Sequence, residues 1–454
     1  MKVYEHVTDF PYPRHLVRQL TMGPGGLVRF VPEGGVSVVR GNPDDLRVGN
    51  EFTVRVQLPY RPFPRPLSTY RYVAIGDDVQ VTDDIDSGIF TSWRHEAHLS
   101  DLPGGGTRIF DRIMFEAPKR VEDTSDASHD RDFRYRARRM LGDLAIHQLL
   151  SDRRRKILIS GASGLIGTQL VALLVNAGHT VGRLVRSPEH GYALGTPIPW
   201  DPARRHLPPG ILDGVDAVIN LSGHSIGGRF TRGNKEKILQ SRLDATHTLA
   251  DAVARHPSTA LIQASGIGVY GARRPGEVLT EESATGDGFL ADVVRQWEDA
   301  ARAASDAGAR VAFMRTGIVL SQAGGALLPQ LPLFFLGLGG RLAPAHGMNS
   351  WIGLADVTRA YAYAVATESV QGPVNMVGPS PVSNGEFAQA LGRVINRPAW
   401  LPVPSVGPKL ILGSEGYDQL INTDQDVSAG KLQAAGFRFG EPTVADALNH
   451  TLWR

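Results

Sequence analysis

A run of apolar residues ending in three glycines spaced three apart is the strongest structural constraint in this sequence of 454 residues. The run begins at Lys156, and the glycines are Gly161, Gly164 and Gly167. An apolar segment, residues 168–177, follows at once, so the pattern predicts a strand, a tight turn and a helix. Such a turn brings the backbone close to a pyrophosphate, which binds at the helix N-terminus. The sequence therefore predicts a dinucleotide site, with a segment of domain size in front of it.

Further strand-like runs alternate with helical segments through the rest of the chain. This alternation predicts an α/β fold with a doubly wound parallel sheet of Rossmann type. A ligand of such a sheet lies across the carboxyl ends of its strands. The predicted strands after the glycine turn are residues 180–185, 216–223, 260–265 and 311–317.

Composition narrows the class of protein. Apolar residues make up 42% and charged residues 21%, which is ordinary for a soluble globular chain, and a formal charge of +2 predicts no nucleic-acid partner. The absence of cysteine excludes disulfides and thiolate chemistry, and no His-Glu-x-x-His spacing occurs, so no metal site is predicted. No long apolar stretch and no signal-peptide pattern occur, so we expect no membrane span and a cytoplasmic location.

The second predicted strand of the sheet ends at Arg186 and Ser187. An acidic residue at this position would accept hydrogen bonds from the ribose hydroxyls of NAD. An arginine would instead pair with a 2′-phosphate through charge-assisted bonds. The sequence therefore predicts NADP (NADPH) as the cofactor. The alternative is an exposed arginine at a strand end with no such role.

The first 150 residues are dominated by strand-like alternation. Trp93, His95, Ala97 and Leu99 share one face of a predicted strand. A Pro-Gly-Gly-Gly turn then leads into a second run, residues 107–115, which predicts a hairpin.

A helix is predicted after the hairpin. An acidic stretch, residues 122–132, is expected to be a loop, and residues 133–148 carry a helical pattern. Four arginines near the start of this helix predict a solvated face, with a phosphate-binding patch as the alternative. They are Arg134, Arg136, Arg138 and Arg139.

Antiparallel strands closed by a C-terminal helix resemble the α+β helix-grip fold of the START-like (SRPBCC) superfamily. Residues 91–95 and 107–112 resemble the late hairpin of that superfamily. The resemblance implies an apolar cavity between sheet and helix, with room for a lipid-like or polyketide-like ligand. A packed core without a ligand is the alternative.

Beyond the glycine turn, the chain carries motifs at residues 216–223, 227–231, 269–271, 286–290, 315–320, 338–341 and 350–352. In these motifs the chain from residue 155 onward resembles an extended short-chain dehydrogenase/reductase. More narrowly, it is similar to the epimerase-like (YfcH/SDR39U1-type) subgroup, some members of which carry a START-like domain in front. Three domains follow: residues 1–150, 151–396 and 397–454, the last a small lobe that contributes to the substrate site.

The resemblance, together with the glycine turn, implies a set of cofactor-binding residues at the carboxyl ends of the strands. They are Gly161, Ser163, Gly164, Leu165, Ile166, Gly167, Arg186, Leu221, Ser222, Gly223, Arg242, Ser265 and Gly317.

The residues that normally move a proton are missing at their expected positions. Dehydrogenases of this class use a tyrosine and a lysine four residues later, which lowers the pKa of the tyrosine. With Glu298 as the register, these positions hold Leu290 and Val294, and the usual serine position holds Gly266. The sequence predicts an intact cofactor half and no standard catalytic triad.

Several residues are candidates for replacement roles. Tyr270 and Ser265 follow a strand end near the expected nicotinamide, although Tyr270 also suits packing. Lys235 and Arg242 are candidates for binding an anionic substrate or the cofactor phosphate. The alternative is that they form part of a charged helix surface. Arg315 suits substrate orientation or pairing with a carboxylate.

Three functional hypotheses remain open. The first is an NADP-dependent oxidoreductase or epimerase-like enzyme that acts on an unknown small molecule. The second is a non-catalytic NADPH sensor, and the third is a carrier whose first domain presents an apolar ligand. The resemblance is compatible with a monomer or a homodimer.

Overall fold

The computed structural model describes residues 1–56, 66–87, 90–187 and 191–454. Residues 1–150, here called the N-terminal unit, form a seven-stranded antiparallel sheet with three helices. The strands are β1 (Lys2–Phe10), β2 (Val36–Arg40), β3 (Glu51–Val56), β4 (Leu67–Ile75), β5 (Val79–Ser87), β6 (Ser92–Asp101) and β7 (Thr107–Glu116). The helices are α1 (Arg14–Met22), α2 (Gly26–Phe30) and α3 (Lys119–Leu150). Across the sheet the strand order is β1-β7-β6-β5-β4-β3-β2.

The predicted hairpin is confirmed, whereas the predicted loop after it is wrong. Strands β6 and β7 pair antiparallel, with Leu99 opposite Ile109. The acidic stretch 122–132 is helical and lies within α3, a single helix of 32 residues. Contacts with β1 hold this stretch: Lys2 Nζ lies 2.9 Å from Asp126 Oδ1. The stretch lacks an apolar periodicity that would predict a helix, and polar contacts with a distant strand stabilise the helix instead.

The arginines of α3 are divided between solvent and interior. Arg134 and Arg138 are exposed, as the sequence predicts. Arg139 is fully buried, and Arg136 forms an ion pair with the buried carboxylate of Asp111. The predicted solvated face is wrong for these two residues, because buried carboxylates compensate their charges.

Residues 151–454, here called the dinucleotide unit, contain a parallel sheet and several short ribbons. The strands are β8 (Lys156–Ser160), β9 (Thr180–Val185), β10 (Thr196–Pro199), β11 (Ala217–Asn220), β12 (Ala260–Gly266), β13 (Arg273–Leu279), β14 (Val311–Thr316), β15 (Ile318–Ser321), β16 (Gly324–Gly325), β17 (Met348–Asn349), β18 (Trp351–Gly353), β19 (Gly372–Met376), β20 (Val382–Ser383) and β21 (Asp424–Val427). The helices are α4 (Leu165–Asn176), α5 (Arg232–Ala254), α6 (Phe289–Asp299), α7 (Arg302–Asp306), α8 (Leu331–Phe335), α9 (Leu354–Ala366), α10 (Asn384–Val394), α11 (Val406–Leu420), α12 (Gly430–Ala434) and α13 (Val444–Thr451).

The main sheet of the dinucleotide unit confirms the predicted Rossmann-type fold. Its seven parallel strands follow the order β10-β9-β8-β11-β12-β14-β19. Helices α4 and α9 cover one face and α5 and α7 the other. Ile157, Ile159 and Ile219 are fully buried between these layers, which explains why the strands read as continuous apolar runs. The strand order reverses between β8 and β11, and this reversal opens a crevice at their carboxyl ends.

The end of the chain packs into the rest of the dinucleotide unit. Strand β21 pairs in parallel with β13, and α13 packs against α10 and β18. This end lies in the stretch predicted as a small C-terminal domain. In the described part of the chain, no helix is long and apolar enough to cross a membrane.

A buried ion cluster joins the two units. Asp143 in α3 accepts hydrogen bonds from Arg29 at 2.9 and 2.7 Å and from Arg359 Nε of α9 at 2.9 Å. Arg139 Nη2 lies 3.1 Å from Glu33 Oε1. All five side chains are buried, so each charge depends on its partners rather than on water.

Candidate functional site

The three glycines of the turn have separate steric roles. Gly161 has a φ of +68°, and a β-carbon there would lie 2.6 Å from the Leu221 carbonyl oxygen. A β-carbon at Gly167 would overlap the Gly161 carbonyl oxygen, so this glycine lets α4 pack onto the strand. A β-carbon at Gly164 would have one described heavy-atom neighbour within 4 Å, the Gly161 carbonyl oxygen at 3.2 Å, so the position is otherwise open. This division matches the demands of a pyrophosphate-binding turn.

The N-terminus of α4 is open. Gly164 is its N-cap, and no described side chain caps the helix there. Ser163 is exposed, and the first helical residues, Leu165 and Ile166, are half-buried. The first amide groups of α4 and the positive end of its dipole are therefore available to an anion.

A buried polar network lies below the crevice. Ser160 Oγ donates to Asn220 Oδ1 at 2.6 Å, and Asn220 Nδ2 donates to Thr246 Oγ1 at 3.1 Å and to Gln263 Oε1 at 2.9 Å. The backbone N–H of Ser222 also donates to Asn220 Oδ1 at 3.1 Å. The network fixes the segment 221–223 at the end of β11. Sequence reasoning missed it, although a polar residue inside an apolar strand was an available signal.

Arg242 of α5 is a half-buried cation without a carboxylate partner among the described residues. Its Nη1 donates to the carbonyl oxygens of His224 at 3.0 Å and Ile238 at 2.9 Å. The guanidinium carbon lies 4.8 Å from the Trp297 ring centroid, and a β-carbon at Gly223 would lie 3.0 Å from it. Burial lowers the pKa of Arg242 to about 10, so the group stays charged at neutral pH. An unpaired charge beside the crevice is a natural partner for an anion.

Two further predicted cofactor residues lie at strand ends. Arg186 follows β9, is exposed and forms no ion pair within the described ranges. A β-carbon at Gly317, directly after β14, would lie 2.5 Å from the Ser350 carbonyl oxygen and 2.8 Å from Val377 Cγ1. Gly317 is thus required by close backbone packing at this edge of the sheet.

Lys235, predicted with Arg242 as an anion-binding candidate, is already paired. Its Nζ lies 2.7 Å from Glu415 Oε1 of α11 and 4.9 Å from the Phe289 ring centroid. Only Arg242 of the two is left without a carboxylate in the described part of the chain. No three potential metal ligands come together there either.

Tyr270 and Ser265 belong to one hydrogen-bonded network. Ser265 Oγ donates to Glu298 Oε1 at 2.6 Å, and Arg315 binds both oxygens of Glu298 at 2.9 and 2.8 Å. Arg315 Nη1 also donates to the Tyr270 hydroxyl at 3.1 Å, and that hydroxyl donates to Asn375 Oδ1 at 2.7 Å. Tyr270 is fully buried, and burial raises its pKa. These contacts favour the packing interpretation of Tyr270 and the carboxylate-pairing interpretation of Arg315.

The residues at the predicted positions of the usual catalytic residues lie close together. A β-carbon at Gly266 would lie 3.8 Å from Val294 Cγ2, and one at Gly268 would lie 3.4 Å from Leu290 Cβ. Leu290 and Val294 lie one turn apart on α6, beside the end of β12. Hydrocarbon therefore faces the strand end at these positions.

Comparisons with known proteins agree with this geometry. The model of the NAD dependent epimerase/dehydratase family matches residues 157–293, and a domain of unknown function, DUF1731, matches residues 403–451. The epimerase family protein Mb2239 of Mycobacterium bovis is 42% identical over 299 residues, which cover 66% of this chain and 98% of that protein.

Solved structures match one or both units. The nucleoside-diphosphate sugar epimerase from Corynebacterium glutamicum has a TM-score of 0.79 at 28% identity, covering 99% of this chain and 90% of that chain. Human SDR39U1 (isoform 2), solved with NADPH, has a TM-score of 0.58 at 32% identity, covering 65% of this chain and 98% of that chain. The chain therefore belongs to the epimerase family that includes SDR39U1, an epimerase-like subgroup of the short-chain dehydrogenases/reductases.

Proposed function

We propose that this protein binds NADP(H) in the crevice between β8 and β11 and is an oxidoreductase- or epimerase-like protein with an unknown small-molecule substrate. The observation that carries the proposal is Arg242, a half-buried guanidinium without a carboxylate among the described residues. The open N-terminus of α4 supports it, since both features suit the phosphates of a dinucleotide. Human SDR39U1, 32% identical, was solved with NADPH.

The preference for NADP over NAD depends on Arg186. This residue is exposed at the end of β9, where the ribose of a bound dinucleotide lies in this fold. Its charge would pair with a 2′-phosphate, which NAD lacks. The matching family model describes NAD-dependent proteins, so the two cofactors need to be compared directly.

Titration of the protein with NADPH and NADH, followed by nicotinamide fluorescence, tests this preference. Arg186→Gln should weaken NADPH binding by about 1.5–3 kcal/mol, as for a lost hydrogen bond to a charged group, and leave NADH binding unchanged. The matched control is Arg255→Gln, because Arg255 is exposed at the end of α5, far from the crevice along the strand direction. Equal binding of both cofactors by the unmodified protein would rule out the role of Arg186.

In the proposed site, no Tyr-x-x-x-Lys pair is available for proton transfer near the nicotinamide. Leu290 and Val294 occupy those positions, and the buried Tyr270 hydroxyl and the Ser265 hydroxyl already have partners. A substrate proton would then come from the substrate itself, from water or from a residue brought in on binding. Stereospecific hydride loss from labelled NADPH with a carbonyl compound would support an enzyme.

A non-catalytic NADPH sensor or ligand carrier is the second candidate. The hydrocarbon side chains at the proton-transfer positions favour it. Binding of NADPH without turnover across a broad panel of carbonyl compounds and nucleotide sugars would favour a non-catalytic role.

We also propose that the N-terminal unit is a START-like (SRPBCC) helix-grip domain. Its antiparallel sheet and the long helix α3 support this assignment. The interior includes polar and aromatic contacts: His95 Nε2 lies 2.8 Å from Asp111 Oδ1, and the His6 ring stacks on Phe133 at 4.8 Å. Native mass spectrometry of the full chain would detect an apolar ligand, and an empty protein would favour the packed-core alternative.

A further inference from the structure

One short segment of the N-terminal unit, residues 26–34, supports the glycine turn from outside its sheet. Arg29 Nη1 donates to Gln169 Oε1 at 2.8 Å, and Gln169 Nε2 donates to the Val28 carbonyl oxygen at 3.2 Å. Gln169 lies one turn beyond Leu165, the first residue of α4, and both Arg29 and Gln169 are buried. Residues 26–34 therefore hold the first turns of α4 in place through these two hydrogen bonds.

The same segment reaches Leu165 by a second route. Ser321 Oγ, at the end of β15, donates to Glu33 Oε2 at 2.6 Å. The backbone N–H of Ala323 donates to Ser321 Oγ at 3.1 Å, which shapes the turn that follows. A β-carbon at Gly324 in this turn would lie 3.6 Å from Leu165 Cδ1. Glu33 thereby holds a loop against the residue whose amide group opens α4.

We propose that Arg29 and Glu33 are positioning residues for the pyrophosphate end of the cofactor site, an inference that rests on the proposed NADP(H) function. Neither residue belongs to the glycine turn; each acts through a residue of the dinucleotide unit, Gln169 or Ser321. Helix amides bind a phosphate well only when they point at it, so the placement of Leu165 affects affinity.

The two positioning residues are themselves anchored to one element. Arg29 binds both carboxylate oxygens of Asp143, and Glu33 pairs with Arg139, and both partners lie on α3. The position of α3 is thereby linked to the position of the glycine turn. In this proposal the N-terminal unit helps to position the cofactor site.

The test measures two ligands by calorimetry on the full chain. NADPH spans the pyrophosphate end, whereas adenosine 2′-monophosphate occupies only the adenosine end near Arg186. Ser321→Ala cuts the second route but leaves the Glu33–Arg139 pair in place. It should raise the Kd for NADPH about tenfold, a typical coupling between linked sites, and change the Kd for adenosine 2′-monophosphate less than about twofold.

Thr259→Val is the matched control. Thr259 is as buried as Ser321, and its hydroxyl donates to the Val215 carbonyl oxygen at 2.8 Å, before the start of β12. It should lower the melting temperature by a similar amount and leave both Kd values unchanged. Gln169→Leu, which cuts the first route, provides a second variant with the same expected pattern as Ser321→Ala.

Three outcomes would overturn the inference. In the first, Ser321→Ala and Gln169→Leu leave the NADPH affinity unchanged. In the second, they weaken both ligands equally, as a general loss of structure would. In the third, the unmodified protein binds neither ligand, which removes the proposed function together with the inference. Binding of both ligands by the unmodified protein with no effect of either variant removes the inference alone.

Discussion

Two regions of this protein, the junction between the units and the crevice, compensate the charge of buried or half-buried arginine side chains differently. At the junction between the units, Arg29 and Arg359 share the carboxylate of Asp143, and Arg139 pairs with Glu33. In the crevice, Arg242 has two carbonyl oxygens and an aromatic ring but no carboxylate in the described ranges. The carboxylates of the first region already compensate its arginines, whereas the proposed function assigns that role in the second region to a bound anion.

The difference separates a structural role from a binding role. A buried arginine with matched carboxylates contributes to the folded state, and removal of a partner leaves an uncompensated charge. A half-buried arginine that faces a crevice without a carboxylate can give its charge to a ligand. Stability measurements and ligand-binding measurements should therefore respond to different substitutions in the two regions.

Asp143→Asn should have the largest effect on stability. It leaves Arg29 and Arg359 buried beside a neutral amide, and the loss of a buried ion partner costs about 3–5 kcal/mol of unfolding free energy. Urea denaturation followed by tryptophan fluorescence measures it. The control is Asp9→Asn, because Asp9 forms an exposed pair with Arg108 and should change the midpoint little. A loss below about 1 kcal/mol in Asp143→Asn would contradict a structural role for the cluster.

One residue of the same junction, His147, should contribute a stability that is lost in mild acid. His147, one turn beyond Asp143 in α3, is buried with both ring nitrogens unpaired among the described atoms. Burial lowers the pKa of His147 to about 4; the neighbouring Asp143 opposes this shift, while Arg29 and His179 add to it. The folded state then binds fewer protons than the unfolded state below about pH 6.5. Stability present above that pH is lost as the pH falls toward 4.

The expected loss from His147 is on the order of 3 kcal/mol between pH 6.5 and pH 4. Denaturation curves across this range measure it, and His147→Leu should flatten the dependence. His179, whose pKa burial also lowers to about 4, provides a second titrating group and should leave part of the slope in place. A pH dependence identical in the variant and the unmodified protein would show that His147 does not titrate on unfolding.

The parallel sheet could be predicted from the sequence because its signals are local. The strand predicted at residues 311–317 matches β14 to within one residue, because β14 begins with the apolar run Val-Ala-Phe-Met that is typical of a strand covered on both faces. The glycine turn could also be predicted, because the close contacts at Gly164 and Gly167 are with residues near them in the sequence.

The junction between the units could not be predicted in this way. Arg139 resembles its exposed neighbours Arg134 and Arg138 in the sequence, and nothing local marks it as buried. Its carboxylate partner Glu33 lies 106 positions away, and Asp143 meets Arg359 across 216 positions. The packing of α3 on α9 brings Asp143 to Arg359, and the packing of the segment after α2 on α3 brings Glu33 to Arg139. The roles of these charges therefore depend on tertiary structure.

Arg242→Met should have the smallest effect on folding and a clear effect on binding. It should weaken NADPH binding by about 1.5–3 kcal/mol, the range for a hydrogen bond to a charged group. The unfolding free energy should stay unchanged or rise slightly, because no carboxylate is left behind. Calorimetric titration and urea denaturation of the same variant measure both quantities.

Lys235→Met is the control for this substitution, since Lys235 lies on the same helix but is already paired with Glu415 at 2.7 Å. It should change NADPH affinity less than Arg242→Met does, because its charge is compensated before any ligand arrives. If Arg242→Met instead lowered the unfolding free energy as much as Asp143→Asn, Arg242 would be a structural residue. The two regions would then differ only in the identity of their partners, and the case for an anion in the crevice would depend on the α4 N-terminus alone.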